Sequence, residues 1–128
     1  MHINALSGAI VDAAVEVHRT LGGPGLIESI YEEALAHELR LRGHHVARQH
    51  PVPVRYKGAT LTNDLRIDLL VAGRVVVECK AVTRYNPVFA TQALTYLRLT
   101  NLQLALVINF GERPLRRAVH RVVNGLAE

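Results

Sequence analysis

The sequence predicts an α/β fold, a mixed β-sheet with helices packed on its faces. Three observations predict it. Two stretches near the N-terminus repeat apolar residues at helical spacing, three short runs in the middle and one near the end are apolar or alternate as strands do, and a helical pattern separates the last of these runs from the others. No repeat, low-complexity segment or linker divides the 128 residues, so a single domain is expected over residues 1–128.

In the first stretch, Ala5 to Leu21, the residues Leu6, Ile10, Ala13, Ala14, Val17 and Leu21 fall on one helical face. Gly22-Gly23-Pro24-Gly25 ends it. A second helix is expected from about Leu26 to Arg42, packing through Ile27, Ile30, Tyr31, Ala34, Leu35 and Leu39 and stopped by Gly43. Next is a strand from about His45 to Tyr56, which must lie at an edge or carry a bulge because Pro51 and Pro53 cannot donate to a ladder. A hairpin follows, Leu65 to Val71 and Val75 to Val82, then a helix from Pro87 to Thr100 with Pro87 as its first residue. Leu102 to Phe110 is apolar on both faces and reads as an interior strand. Leu115 to Val123 fits either helix or strand, and strand is the expectation.

The chemistry concentrates on the hairpin. Its arms carry Arg66-Ile67-Asp68-Leu69-Leu70 and Val75-Val76-Val77-Glu78-Cys79-Lys80, joined by Ala72-Gly73-Arg74. Residues two apart on a strand share a face, so Glu78 and Lys80 point together. A two-residue loop would pair Asp68 with Val77 and turn it away. A three-residue connection or a bulge pairs Val71 with Val75 and Asp68 with Glu78, and that register also gathers Leu69, Val71, Val75 and Val77 on one apolar face. Two carboxylates side by side on a partly buried sheet raise each other's pKa unless a positive charge joins them. A divalent ion would supply it. All-oxygen ligation favours Mg2+ or Mn2+, which takes one or two carboxylates together with water and substrate phosphate. Lys80 beside such an ion could hold a water or neutralise charge growing on a phosphate, the equipment of phosphodiester hydrolysis. The bland alternative is a structural ion pair from Lys80 to Asp68 or Glu78.

The bulk numbers are compatible with that chemistry. A formal charge of +4 and a pI near 9.7 suit a polyanionic partner without demanding one. The single cysteine, Cys79, excludes an internal disulfide. No signal peptide and no membrane-length apolar run is apparent, so a cytoplasmic protein without a membrane partner is expected.

Taken alone, other residues have ordinary readings. Glu28 in the first turn of a helix suits the helix dipole, and Tyr31 is most simply core. Gln92 and Tyr96, four apart, share a helix face, which on its own suggests packing plus a surface amide. Arg113, Arg116, Arg117 and Arg121 make the C-terminal part basic, either as a solvated face or as a phosphate contact.

Gly25-Leu26-Ile27-Glu28-Ser29-Ile30-Tyr31, with its lead-in Val17-His18-Arg19-Thr20-Leu21-Gly22, resembles the signature of the GxxExxY proteins. The likeness continues through Arg66 to Val82, Gln92 to Leu99 and Val107-Ile108-Asn109-Phe110-Gly111. That family looks like a branch of the PD-(D/E)xK nuclease superfamily, whose restriction-endonuclease-like core runs helix, three strands, helix, strand. The resemblance implies the order α-α-β-β-β-α-β plus a C-terminal strand. It also implies that Glu28, Asp68 and Glu78 bind a metal ion, Mg2+ or Mn2+, with the Cys79 carbonyl as an added oxygen. Lys80 would orient or activate the attacking water, and Gln92 and Tyr96 would shape the site and position the nucleic acid backbone.

The function expected is therefore that of a metal-dependent nuclease acting on nucleic acid, DNA ahead of RNA, with raised carboxylate pKa values when no metal is bound. The alternative is a non-catalytic nucleic-acid-binding or protein-interaction domain that keeps the fold. A homodimer is a further expectation; in a purely structural subunit it would pair an apolar patch on the first helix.

Overall fold

A computed structural model describes residues 1–126 of the chain. The helices are α1 (Ile3–Thr20), α2 (Glu28–Leu41) and α3 (Val88–Thr100), and the strands are β1 (Val46–Pro51), β2 (Arg55–Tyr56), β3 (Ala59–Thr60), β4 (Arg66–Val71), β5 (Val75–Lys80), β6 (Leu104–Asn109) and β7 (Val119–Val123). Five strands form one mixed sheet in the order β1-β4-β5-β6-β7. Only the β5–β6 pair is parallel, and α3 makes the crossover between them.

The sheet lies between two apolar clusters, which is why its central strands lack polar alternation. On one side, Leu6, Ile10, Ala13, Ala14 and Val17 of α1 and Tyr31, Leu35 and Leu39 of α2 pack against Leu69, Val71, Val75, Val77, Leu104, Leu106 and Ile108. On the other, Ala93 and Leu97 of α3 cover Ile67, Val76, Ala105 and Val107. Every residue of β6 is buried, as its two-faced apolar pattern requires. The apolar residues of α1 are thus spent on the core. Exposed large apolar side chains occur instead at Leu26, Ile27 and Ile30 around the start of α2, and singly elsewhere.

The hairpin takes the three-residue register, with Val71 opposite Val75, Leu70 opposite Val76 and Leu69 opposite Val77. Ala72 and Gly73 both have positive φ, 53° and 65°, which closes the tight turn.

Three expectations need correction. Ile27 and Ile30, expected to pack the second helix against the core, are exposed, because the face that meets the sheet runs through Tyr31, Leu35 and Leu39. The strand expected from His45 to Tyr56 stops at Pro51, and Arg55–Tyr56 belongs instead to a separate two-stranded ribbon with Ala59–Thr60. Pro51 and Pro53 prevent a continuous ladder, so the chain leaves the sheet there and returns as β4. β1 is an edge strand, as Pro51 demands, but its register against β4 is unshifted and it carries no extra residue. The ambiguous C-terminal stretch divides between both readings. Leu115–Ala118 is one turn of 3-10 helix and Val119–Val123 is the edge strand beside β6.

Candidate active site

The β4–β5 ladder ends just before Asp68 and Glu78. Beyond it the side chains take over the backbone groups: the Asp68 amide donates to Glu78 Oε2 at 2.9 Å, and the Cys79 amide donates to Asp68 Oδ2 at 2.8 Å. This reciprocal pair satisfies amides that the ladder leaves open, and it holds two carboxylates side by side. Glu78 is only 6% exposed, and burial, reinforced by the Asp68 charge, pushes its carboxyl up to about 8.

Lys80 stands on the same face of β5 as Glu78. Its Nζ lies 4.7 Å from the centre of the Phe89 ring, a cation–π contact with the start of α3. Among the described residues no ion pair joins Lys80 to Asp68 or Glu78, so the structural salt bridge is not formed. The loop after Lys80 is pinned by Asn109, which is fully buried. Asn109 Oδ1 accepts from the Val82 and Gly111 amides at 3.0 Å each, and its Nδ2 donates to the Val82 carbonyl at 3.0 Å.

Glu28 reaches the site from the first turn of α2. The loop leading to it is fixed by Tyr31, whose hydroxyl donates to the Gly23 carbonyl at 2.7 Å and accepts from the Leu26 amide at 3.1 Å. The Tyr31 ring stacks on Phe110 with 4.7 Å between centres, while Gly25 takes φ 118°, open to glycine alone at little cost. Burial raises the Glu28 carboxyl while the Lys80 charge opposes the shift, so the two groups share one electrostatic neighbourhood. Glu28, Glu32, Arg48, Gln49 and Asp68 line an open cleft of about 650 Å³. A groove of about 700 Å³ on the outer side of α2, past Ile30, His37 and Arg40, contains none of the candidate residues.

Tyr96 faces the site from α3. Burial raises its hydroxyl pKa, and the charges of Glu78 and Asp68 add to that shift. Gln92, exposed one turn earlier, lines a smaller cavity of about 220 Å³ with Leu65, Thr95 and Tyr96 rather than the carboxylate cleft. Cys79 is buried on the opposite side of β5, and burial holds its thiol well above the usual range, so its sulfur is not a ligand candidate here. Of the C-terminal arginines, Arg116 pairs with Asp12 at 2.8 Å and Arg121 bonds Asn4 at 2.8 Å, so both are tied to α1.

Sequence reasoning missed one part of the site. Glu32, one turn beyond Glu28, is 5% exposed and lies close enough for the Asp68 charge to raise its pKa, after the larger effect of burial. Spacing could have found it, because residues four apart share a helix face.

The adjacent carboxylates of Asp68 and Glu78 are hard donors suited to Mg2+ or Mn2+, which is held by one or two carboxylates. The pair fits one such ion. Among the described residues no group of three or more His, Cys, Asp or Glu side chains is arranged to hold a metal, so Glu28 does not complete a three-carboxylate cage. Among the described residues no helix is long and apolar enough to cross a membrane.

A family model described as the PD-(D/E)XK nuclease superfamily matches residues 4–122. No curated protein and no solved structure gives a significant match.

Proposed function

The chain belongs to the PD-(D/E)XK nuclease superfamily, and from that premise we propose that it hydrolyses phosphodiester bonds of nucleic acid, DNA ahead of RNA, with Mg2+ or Mn2+. The observation that carries the reading is the reciprocal bonding of Asp68 and Glu78, which keeps two carboxylates together at a cost in repulsion that only a cation or a shared proton relieves. A finer kinship with the GxxExxY proteins rests on Gly25, Glu28 and Tyr31.

In this reading Asp68 and Glu78 hold the ion, with the Cys79 carbonyl as a further oxygen and Glu28 at the cleft wall. When bound, the ion supplies Lewis acidity toward a phosphodiester oxygen and positive charge against the two carboxylates. Lys80 Nζ donates to the attacking water or to the phosphate oxygen that gains charge. Tyr96 shapes the α3 side of the site, and Gln92, in the neighbouring cavity with Tyr96, meets the nucleic acid backbone beside it. The β2–β3 ribbon lies in the chain between β1 and β4, the strand that carries Asp68. It exposes Arg55, Tyr56 and Lys57, with Lys57 Nζ 5.5 Å from the Tyr56 ring centre. Two cations and an aromatic face suit a phosphate backbone and an unstacked base.

The alternative, a nucleic-acid-binding or protein-interaction domain that keeps the fold without turnover, predicts no Mn2+-dependent cleavage. A nuclease assay separates the two. Single- and double-stranded DNA and RNA are incubated with Mn2+ and the wild type, Asp68→Ala or Lys80→Ala. Cleavage by the wild type that falls at least about 100-fold in each variant supports the enzyme. Cleavage that survives both substitutions refutes the site.

A further inference from the structure

Adjacent residues on a strand point to opposite faces. Arg48 and Gln49 of β1 nevertheless bond the same carboxylate, that of buried Glu32. Arg48 donates to Glu32 Oε2 at 2.9 and 3.2 Å, and the Gln49 side-chain amide donates to Oε1 at 2.9 Å and Oε2 at 3.1 Å. Gln49 manages this through a positive φ of 50°, uncommon for a residue other than glycine, asparagine or aspartate. Register explains where the irregularity falls. Arg48 pairs with Leu69 and His50 with Ile67, so Gln49 stands opposite Asp68, and at that one position the β1–β4 ladder is not made. The same amide lies 3.4 Å from Asp68 Oδ1, the oxygen that the Cys79 amide does not use. Only the NH2 end of the Gln49 amide suits these positions, because every facing atom is a carboxylate oxygen.

We propose that Gln49 is a positioning residue for the metal site, its amide bridging the buried Glu32 carboxylate and Asp68 Oδ1 so that Asp68 stays turned toward Glu78. This rests on the reading of Asp68 and Glu78 as metal ligands. Glu32 is anchored by Arg48, and its carboxyl oxygens hold the Gln49 amide, which in turn sets the orientation of Asp68. The strained backbone at Gln49 serves this arrangement: a regular strand would send the amide to the other face.

The decisive variant is Gln49→Gly, since glycine takes positive φ freely and removes the amide without adding strain. Mn2+ binding is measured by calorimetry, and thermal stability without metal, on the wild type, Gln49→Gly, Gln49→Ala and Asp68→Ala. The proposal expects Gln49→Gly to stay folded, melting no lower than Gln49→Ala, while its Mn2+ affinity falls about tenfold, the size seen when a residue supporting a ligand is lost. Unchanged Mn2+ affinity in Gln49→Gly overturns the proposal while leaving the metal site intact. A second readout needs no metal. The Gln49 side-chain amide resonances are followed by NMR in the wild type and in Asp68→Asn. A shift on that substitution supports the bridge, and resonances that do not move overturn it. Should the wild type bind no Mn2+, the metal reading falls and the NMR result alone decides whether Gln49 and Asp68 are linked.

Discussion

If Asp68 and Glu78 hold a metal ion, its binding must compete with a proton. Burial and the neighbouring Asp68 charge raise Glu78 from 4.5 to about 8, so below pH 8 the carboxyl is mostly protonated and an incoming cation has to displace that proton. With a pKa of about 8, roughly 1% of Glu78 is ionised at pH 6 and roughly half at pH 8. Apparent Mn2+ affinity should therefore rise about 50-fold between pH 6 and pH 8, then only about twofold more by pH 9. Calorimetry in two buffers of different ionisation enthalpy should find about 0.9 proton released per ion at pH 7. The same group sets the stability of the metal-free protein. Because the folded pKa is above the unfolded value, its contribution is fully present below about pH 4.5 and is lost as pH rises through about 8. At about 1.4 kcal/mol per unit, the loss is roughly 5 kcal/mol. Thermal melts should show the metal-free protein weakening from pH 5 to pH 8 and Mn2+ restoring it at the upper end. An Mn2+ affinity that is flat between pH 6 and pH 8, or unchanged by Glu78→Gln, would refute the reasoning.

Two further outcomes follow from other parts of the molecule. If Arg55 and Lys57 on the β2–β3 ribbon each meet a phosphate, Arg55→Ala with Lys57→Ala should reduce the slope of log affinity against log salt by about 2 for duplex DNA, measured by fluorescence anisotropy; an unchanged slope removes the ribbon from the interface. A side-chain carbon at Gly111 would lie 2.2 Å from the Val82 carbonyl oxygen, so Gly111→Ala should destabilise the fold by about 3 kcal/mol in chemical denaturation and disturb the loop after Lys80, whereas Gly8→Ala, with open space around it in α1, should stabilise by about 1 kcal/mol.

The helices and the hairpin register were legible because each rests on local pattern. The Leu6, Ile10, Ala13, Val17 spacing needs only one buried face, and Ala72-Gly73-Arg74 admits few connections. Asp68 beside Glu78 followed from that register. What the pattern did not contain is the way the ladder stops there, with side chains bonding amides in place of backbone, since alternation says which face a residue occupies and nothing about who satisfies its N–H. The chain's departure from the sheet after Pro51 was half legible: proline forbids an inner strand but does not say that a separate ribbon forms. The Glu32, Arg48 and Gln49 network was illegible for a firmer reason. It requires a glutamine in a left-handed conformation, which period-two reasoning excludes in advance. Glu28 and Tyr31 show the opposite case, where a short motif carries a loop geometry, since Tyr31 bonds both Gly23 and Leu26 and so fixes the approach to α2.

Anomalous diffraction from crystals soaked in Mn2+ at pH 8 tests the central claim most directly. The account predicts a single strong peak within bonding distance of one oxygen from Asp68 and one from Glu78, with Lys80 Nζ facing the same cavity. Well-diffracting crystals with no peak at that position, or with the ion held elsewhere while Asp68 and Glu78 keep only their bonds to each other's strands, would contradict it.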